Sequence, residues 1–91
     1  MNISYRKLFL KDLSDYKSDV IYQKVYKMVF EDIPKIEKFN EIFDSYDVIP
    51  LKGATNRYRI KINEFRVGFE FNNDNLEFMR FLHRREFYRY F

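Results

Sequence analysis

The chain has 91 residues, 46% hydrophobic and 21% aromatic, with two Gly, two Pro and no Cys; this suits one compact domain, and excludes a disulfide framework, a thiolate zinc site and a cysteine nucleophile. The formal net charge is +3, too small by itself to name a partner. No apolar run approaches the roughly 20 residues that span a bilayer, and the opening MNISYRKLFLKD lacks the apolar stretch of a signal peptide, so a soluble cytoplasmic protein with no membrane partner is expected.

Asn2 to Lys7 alternates Ile3 and Tyr5 with polar neighbours, which predicts a half-buried strand. Phe9, Leu13 and Tyr16 follow at helical spacing and predict a short helix. A longer helix is expected after Ser18 as N-cap, with Ile21, Val25, Met28 and Val29 on one stripe, widened by Tyr22, Tyr26 and Phe30. Pro34 is placed to begin a further helical turn through Lys38. Asn40 to Pro50 shows no clear period and reads as irregular.

From Arg57 the period changes to two. Tyr58, Ile60 and Ile62 alternate with Arg57, Arg59 and Lys61; then Phe65, Val67, Phe69 and Phe71 alternate with Arg66, Gly68 and Glu70. Asn63-Glu64 has the length of a tight hairpin loop. A second turn lies in Asn72 to Asn75, and Leu76 to His83 completes a three-strand meander. The tail RREFYRYF is basic, aromatic and compatible with one or two helical turns. The expected fold is α+β, with an N-terminal strand, a helical hairpin on one face of a mainly antiparallel sheet and a short helical tail.

The chemistry concentrates in the second half. Residues 51–91 carry nine basic and five acidic groups, and seven of the eight Arg lie there. Arg grips phosphate through a planar two-bond fork, so this bias points to an anionic partner. A hairpin that sets Ile62 opposite Phe65 places Lys61 opposite Arg66, Arg59 opposite Gly68 and Arg57 opposite Glu70, all on the face the apolar residues leave. Gly68 is expected to leave room there for a ligand. If Phe71 pairs with Leu76, His83 joins the same face beside Arg66 and Lys61. A groove of Arg59, Lys61, Arg66 and His83, with Arg84 or Arg85, would stabilise the extra charge of a pentacoordinate phosphorane, and His83 or a Lys61 crowded by cations would exchange protons. The acids are scattered and there is a single His, so neither a metal nor another cofactor is expected. No Gly-rich phosphate loop is present.

LKG (Leu51, Lys52, Gly53), RYRIKINEFRVGFEF from Arg57 to Phe71 and the closing FLHRREFYRYF resemble toxins of the RelE/ParE superfamily, and SYRKLFLKDL resembles that family's opening strand and first helix. The resemblance spans nearly the whole chain and is strongest in its last forty residues. It implies an endoribonuclease toxin of a toxin–antitoxin system, a cytoplasmic mRNA interferase that cleaves ribosome-bound mRNA by attack of the 2′-hydroxyl without a metal. By position, Arg59 and Lys61 match the family's basic pair, Arg66 the Arg that supports the transition state, and Arg84 a proton donor to the leaving oxygen. Tyr88 or Tyr90 matches a base-stacking tyrosine, and His83 stands where some branches carry a catalytic His. Arg59 replaces a Lys of the best-known members, which leaves the general base open because Arg stays protonated. Lys52, Arg57, Arg85, Arg89 and Tyr90 are expected to bind RNA. The implied partners are a cognate antitoxin, mRNA and the ribosome. A ParE-like inhibitor of DNA gyrase and a non-catalytic basic binding domain are the alternatives.

Overall fold

The computed structural model describes residues 1–91. Strand β1 (Asn2–Tyr5) leads into helices α1 (Lys7–Ser14) and α2 (Val20–Lys27), and α2 continues as a π-helical turn (Met28–Asp32). Two 3-10 turns (Ile33–Lys35 and Phe39–Glu41) and the short helix α3 (Ile42–Ser45) precede strand β2 (Asp47–Pro50). Strands β3 (Arg57–Ile62), β4 (Phe65–Asn72) and β5 (Asn75–His83) form the meander, and helix α4 (Arg84–Tyr90) ends the chain. The sheet order is β1-β5-β4-β3-β2, antiparallel except where β1 lies parallel to β5. This is the expected α+β architecture, with a fifth strand in the stretch read as irregular.

β2 escapes the sequence pattern because it is a four-residue edge strand ending in Pro50, a position that tolerates a missing N–H. The second helix is capped one residue later than expected, by Asp19, whose carboxylate accepts from the Ile21 N–H at 2.9 Å. Pro34 lies in a helical turn, but that turn begins one residue earlier, at Ile33, and ends at Lys35.

The meander follows the apolar alternation. Ile62 faces Phe65 across the Asn63-Glu64 turn, with Asn63 in the left-handed region at φ 52°. Asn72 faces Asn75, and the intervening Asn73 and Asp74 both have positive φ, as a type I′ turn requires. The main core lies between the sheet and the helical layer: Phe9, Val25, Val29, Ile60, Val67, Phe69, Phe78 and Phe81 are all fully buried. The Tyr5 hydroxyl donates to the Val29 carbonyl at 2.7 Å, tying β1 to the π-helical turn.

A smaller cluster sits on the other face of the sheet, where Leu51, Leu82 and Phe87 are buried with Phe91 against them. α4 therefore folds back over that face, and β4 is covered on both sides. Its residues Arg66, Val67, Gly68 and Phe69 are all buried.

Burial raises the phenol pKa of Tyr5, Tyr16 and Tyr46 above the ordinary 10.0, with nearby carboxylates adding to the effect at Tyr16 and Tyr46. The folded state thus holds protons that the unfolded chain releases. This contribution is fully present below pH 10 and is lost as pH rises through the folded values. Urea melts should show a stability plateau up to about pH 10 and a decline above it; a constant midpoint through pH 11 would refute the tyrosine contribution.

Candidate functional site

On the sheet face away from α1 and α2, the register sets Lys61 against Arg66, Arg59 against Gly68 and Arg57 against Glu70, as the hairpin reading requires. The side chains are more constrained than the sequence implies. Arg66 is only 8% exposed, and its Nη1 donates to the Asn63 and Phe65 carbonyls at 3.0 and 2.9 Å. The Arg59 side chain is 12% exposed, and its Nη1 donates to the Asp47 carbonyl and carboxylate at 3.1 and 3.2 Å. The Nε of each guanidinium is buried without an acceptor. Arg57 bonds Glu70 at 3.3 Å. Lys61 is exposed and carries no ion pair, and it is the one uncommitted cation of the three on β3.

The space above Gly68 is not open. A Cβ built there would meet Phe87 at 3.0 Å and Phe91 at 3.3 Å. The glycine thus admits the two rings of the tail, and a ligand would have to displace them.

His83 does not join the basic face. The strand register shifts between Gly68 and Phe69, so that Phe69 pairs with Phe78 but Gly68 pairs with Arg80. The intervening Met79 is the extra residue of a β-bulge, and every later side chain of β5 changes face. His83 accordingly pairs with Phe65, its ring edge-on to the Phe65 ring at 5.5 Å, on the helical side of the sheet. Its Nδ1 accepts from the Arg85 N–H at 3.2 Å, which makes it the N-cap of α4.

The same shift brings Arg80 beside Gly68, a residue the sequence reading passed over. Its Nε and Nη2 donate to the Asp12 carboxylate at 2.7 and 3.1 Å, and its guanidinium lies 4.7 Å from the centre of the Tyr90 ring. The hydrogen bond that it donates to Asp12 raises its pKa further. No local sequence pattern pairs Asp12 with Arg80, since they are 68 residues apart.

The remaining predicted residues lie around the rim. The Arg84 Nε bonds the Glu64 carboxylate at 2.8 Å, and the Arg84 N–H donates to the Glu64 carbonyl at 2.8 Å. Arg85 and Arg89 are exposed on α4 without ion pairs. Tyr88, 55% exposed, lines a cavity of about 290 Å³ with Lys52, Ile49 and Phe91. The Arg80 guanidinium lies over the Tyr90 ring, and the Tyr88 ring packs edge-on to Phe87 at 5.2 Å, so both tyrosines have partners within the fold. No helix is long and apolar enough to cross a membrane.

No family model matches the chain. Toxin RelE3 of Methanocaldococcus jannaschii is 33% identical over 91 residues, all of this chain and 99% of that one. The RelB–RelE antitoxin–toxin complex from Methanococcus jannaschii contains a chain with TM-score 0.76 and 32% identity, covering 97% of this chain and 98% of that one. The archaeal RelE–RelB complex from Pyrococcus horikoshii shares the fold, with TM-score 0.66, 20% identity and coverage of 91% and 93%. So does the Escherichia coli DinJ–YafQ complex, with TM-score 0.65, 14% identity and coverage of 96% and 97%. With this identity across the full length of both chains and the same arrangement of strands and helices, the chain belongs to the RelE toxin family.

Proposed function

We propose that this toxin is a metal-independent endoribonuclease acting on ribosome-bound mRNA. The observation that carries the reading is the pair of buried guanidinium Nε atoms, on Arg59 and Arg66, that share one sheet face and have no acceptor. Buried donors are rarely left unpaired, and a phosphate oxygen is an acceptor that suits them. Fixed donors of this kind stabilise the charge that builds on a phosphorane at no cost of reorganisation.

In this mechanism the ribose 2′-hydroxyl gives its proton to a solvent water while the Lys61 ammonium, the uncommitted cation of β3, donates to the 2′-oxygen. The 2′-oxygen bonds to phosphorus and the bond to the 5′-oxygen breaks. Arg84, at the position that the resemblance assigns to a donor, hydrogen-bonds the leaving oxygen and stays charged, and that oxygen takes its proton from solvent water. His83, on the far face and committed as a helix cap, takes no part. Tyr88 and Lys52 receive a neighbouring nucleotide. Phe87 and Phe91 must withdraw from Gly68 as RNA enters, and α4 is short enough for this, being held by Phe87, the Arg84–Glu64 pair and the Arg80–Tyr90 contact.

The partner that restrains the activity is a cognate antitoxin, as in the RelB–RelE and DinJ–YafQ complexes. An acidic or amphipathic segment suits the Arg-rich second half of the chain and the exposed tyrosines of α4. Primer extension on translated mRNA tests the activity. The expected products end in 2′,3′-cyclic phosphate and 5′-hydroxyl. Products with 5′-phosphate and 3′-hydroxyl ends would indicate a metal-type mechanism and overturn the assignment. Toxicity without cleavage but with loss of DNA supercoiling would identify a gyrase inhibitor instead.

A further inference from the structure

The larger cavity of the molecule, about 440 Å³, opens at the corner of the sheet beside Lys61. Its walls come from three separate parts of the chain: Lys24 and Lys27 of α2, Tyr46 and Asp47 at the start of β2, and Lys61 at the end of β3. The volume lies within the roughly 300–1,000 Å³ of small-molecule sites.

Charge identifies the occupant. The Lys27 ammonium is bound to the Asp32 carboxylate at 2.7 Å, and the Asp47 carboxylate is engaged by Arg59 at 3.2 Å. Both acids in the wall therefore have partners. Lys24 of α2 and Lys61 of β3 have none. The uncompensated charge is positive and comes from two elements of the fold. Burial, and next the neighbouring Asp32, keep the Tyr46 phenol protonated, so its ring and hydroxyl present a flat surface and a donor. The π-helical turn at Met28–Asp32 shapes one wall, a departure from regular helix frequent at functional sites. Lys61 belongs both to this cavity and to the basic sheet face, where it pairs with Arg66.

We propose that this cavity is a nucleotide subsite that receives the RNA residue adjoining the scissile phosphate, with a phosphate group between Lys24 and Lys61 and the base against Tyr46. The inference rests on the RNA reading of the sheet face, and extends it to a site that no residue of that reading except Lys61 forms.

The test is titration of the full-length protein with adenosine 3′-monophosphate, followed by NMR, with inorganic phosphate and uncharged adenosine as comparison probes. Backbone signals of Ser45, Tyr46 and Asn63 should move with the nucleotide and respond less to either comparison probe. Lys24→Glu should weaken binding by about tenfold or more, the effect of losing a charge-assisted bond, whereas Lys7→Glu on α1 should leave it unchanged. In RNA cleavage, Lys24→Glu should raise KM at constant kcat. Shifts confined to other parts of the chain, an unaltered affinity in Lys24→Glu, or an equal response to inorganic phosphate would overturn the subsite. Binding as described in a protein that cleaves no RNA would uphold the subsite and sink the activity assigned to the sheet face.

Discussion

Arg66→Ala should abolish toxicity while leaving the fold intact. Removing one preorganised donor aimed at a developing oxyanion costs about 10²–10³ in rate, or roughly 2.7–4 kcal/mol of transition-state stabilisation. The structural side of the balance is small. The variant loses two bonds to the carbonyls of Asn63 and Phe65, but it also removes a buried Nε that has no acceptor and a guanidinium set against Lys61. Asn63 is exposed, so water can replace the first lost bond. A typical bond contributes about 1 kcal/mol and an unmet buried donor costs a comparable amount, so the melting temperature should move by only a few degrees. The apolar side of β4, with Val67 and Phe69 fully buried, is untouched. A thermal melt, a growth assay and primer extension measure the three quantities together. A normally folded Arg66→Ala protein that remained fully toxic would remove the sheet face from the mechanism.

The meander and its register were legible because period-two alternation fixes which residues face each other once one pair is known. Ile62 opposite Phe65 carries Lys61–Arg66, Arg59–Gly68 and Arg57–Glu70 with it. Two features broke the inference, and both are physical. The bulge at Met79 inserts one residue into β5, and the mark it leaves, Arg80 where the period from Leu76 and Phe78 calls for an apolar residue and Phe81 one place later, went unread; the consequence is that His83 lies with Phe65 instead of Arg66. The second feature is the tail. Leu82, Phe87 and Phe91 are apolar residues that the assumption of a single buried face leaves without a place. Their spacing, with Phe87 and Phe91 one helical turn apart, is the signal that α4 covers the second face, and Gly68 is the residue that lets it approach. The ion pairs that hold Arg59 and Arg80 were invisible for a different reason: Asp47 lies in an edge strand with no pattern of its own, and Asp12 sits 68 residues away from Arg80.

Asp12→Ala should produce the largest loss of stability of any single polar substitution in this chain. β1 ends at Tyr5, paired with Phe78, so beyond that point the edge of β5 away from β4 has no strand to accept its N–H groups. Asp12, on α1 and 7% exposed, fills that role: its carboxylate accepts from the Phe81 N–H at 3.1 Å and from two nitrogens of Arg80. Substitution by alanine leaves a buried amide unmet and a mostly buried guanidinium unpaired. Breaking such a pair from one side costs about 3–5 kcal/mol. A domain of this size loses roughly 4–8 °C per kcal/mol, so the melting temperature should fall by more than about 10 °C. Asp12→Asn keeps one oxygen for the Phe81 N–H and should lose less. Adding Arg80→Met to Asp12→Ala should restore part of the stability, because the stranded charge disappears while the orphaned amide remains. An Asp12→Ala protein that melts within about 3 °C of the parent, less than a single kcal/mol, would show that water satisfies this edge of the sheet and that the Asp12–Arg80 pair contributes little.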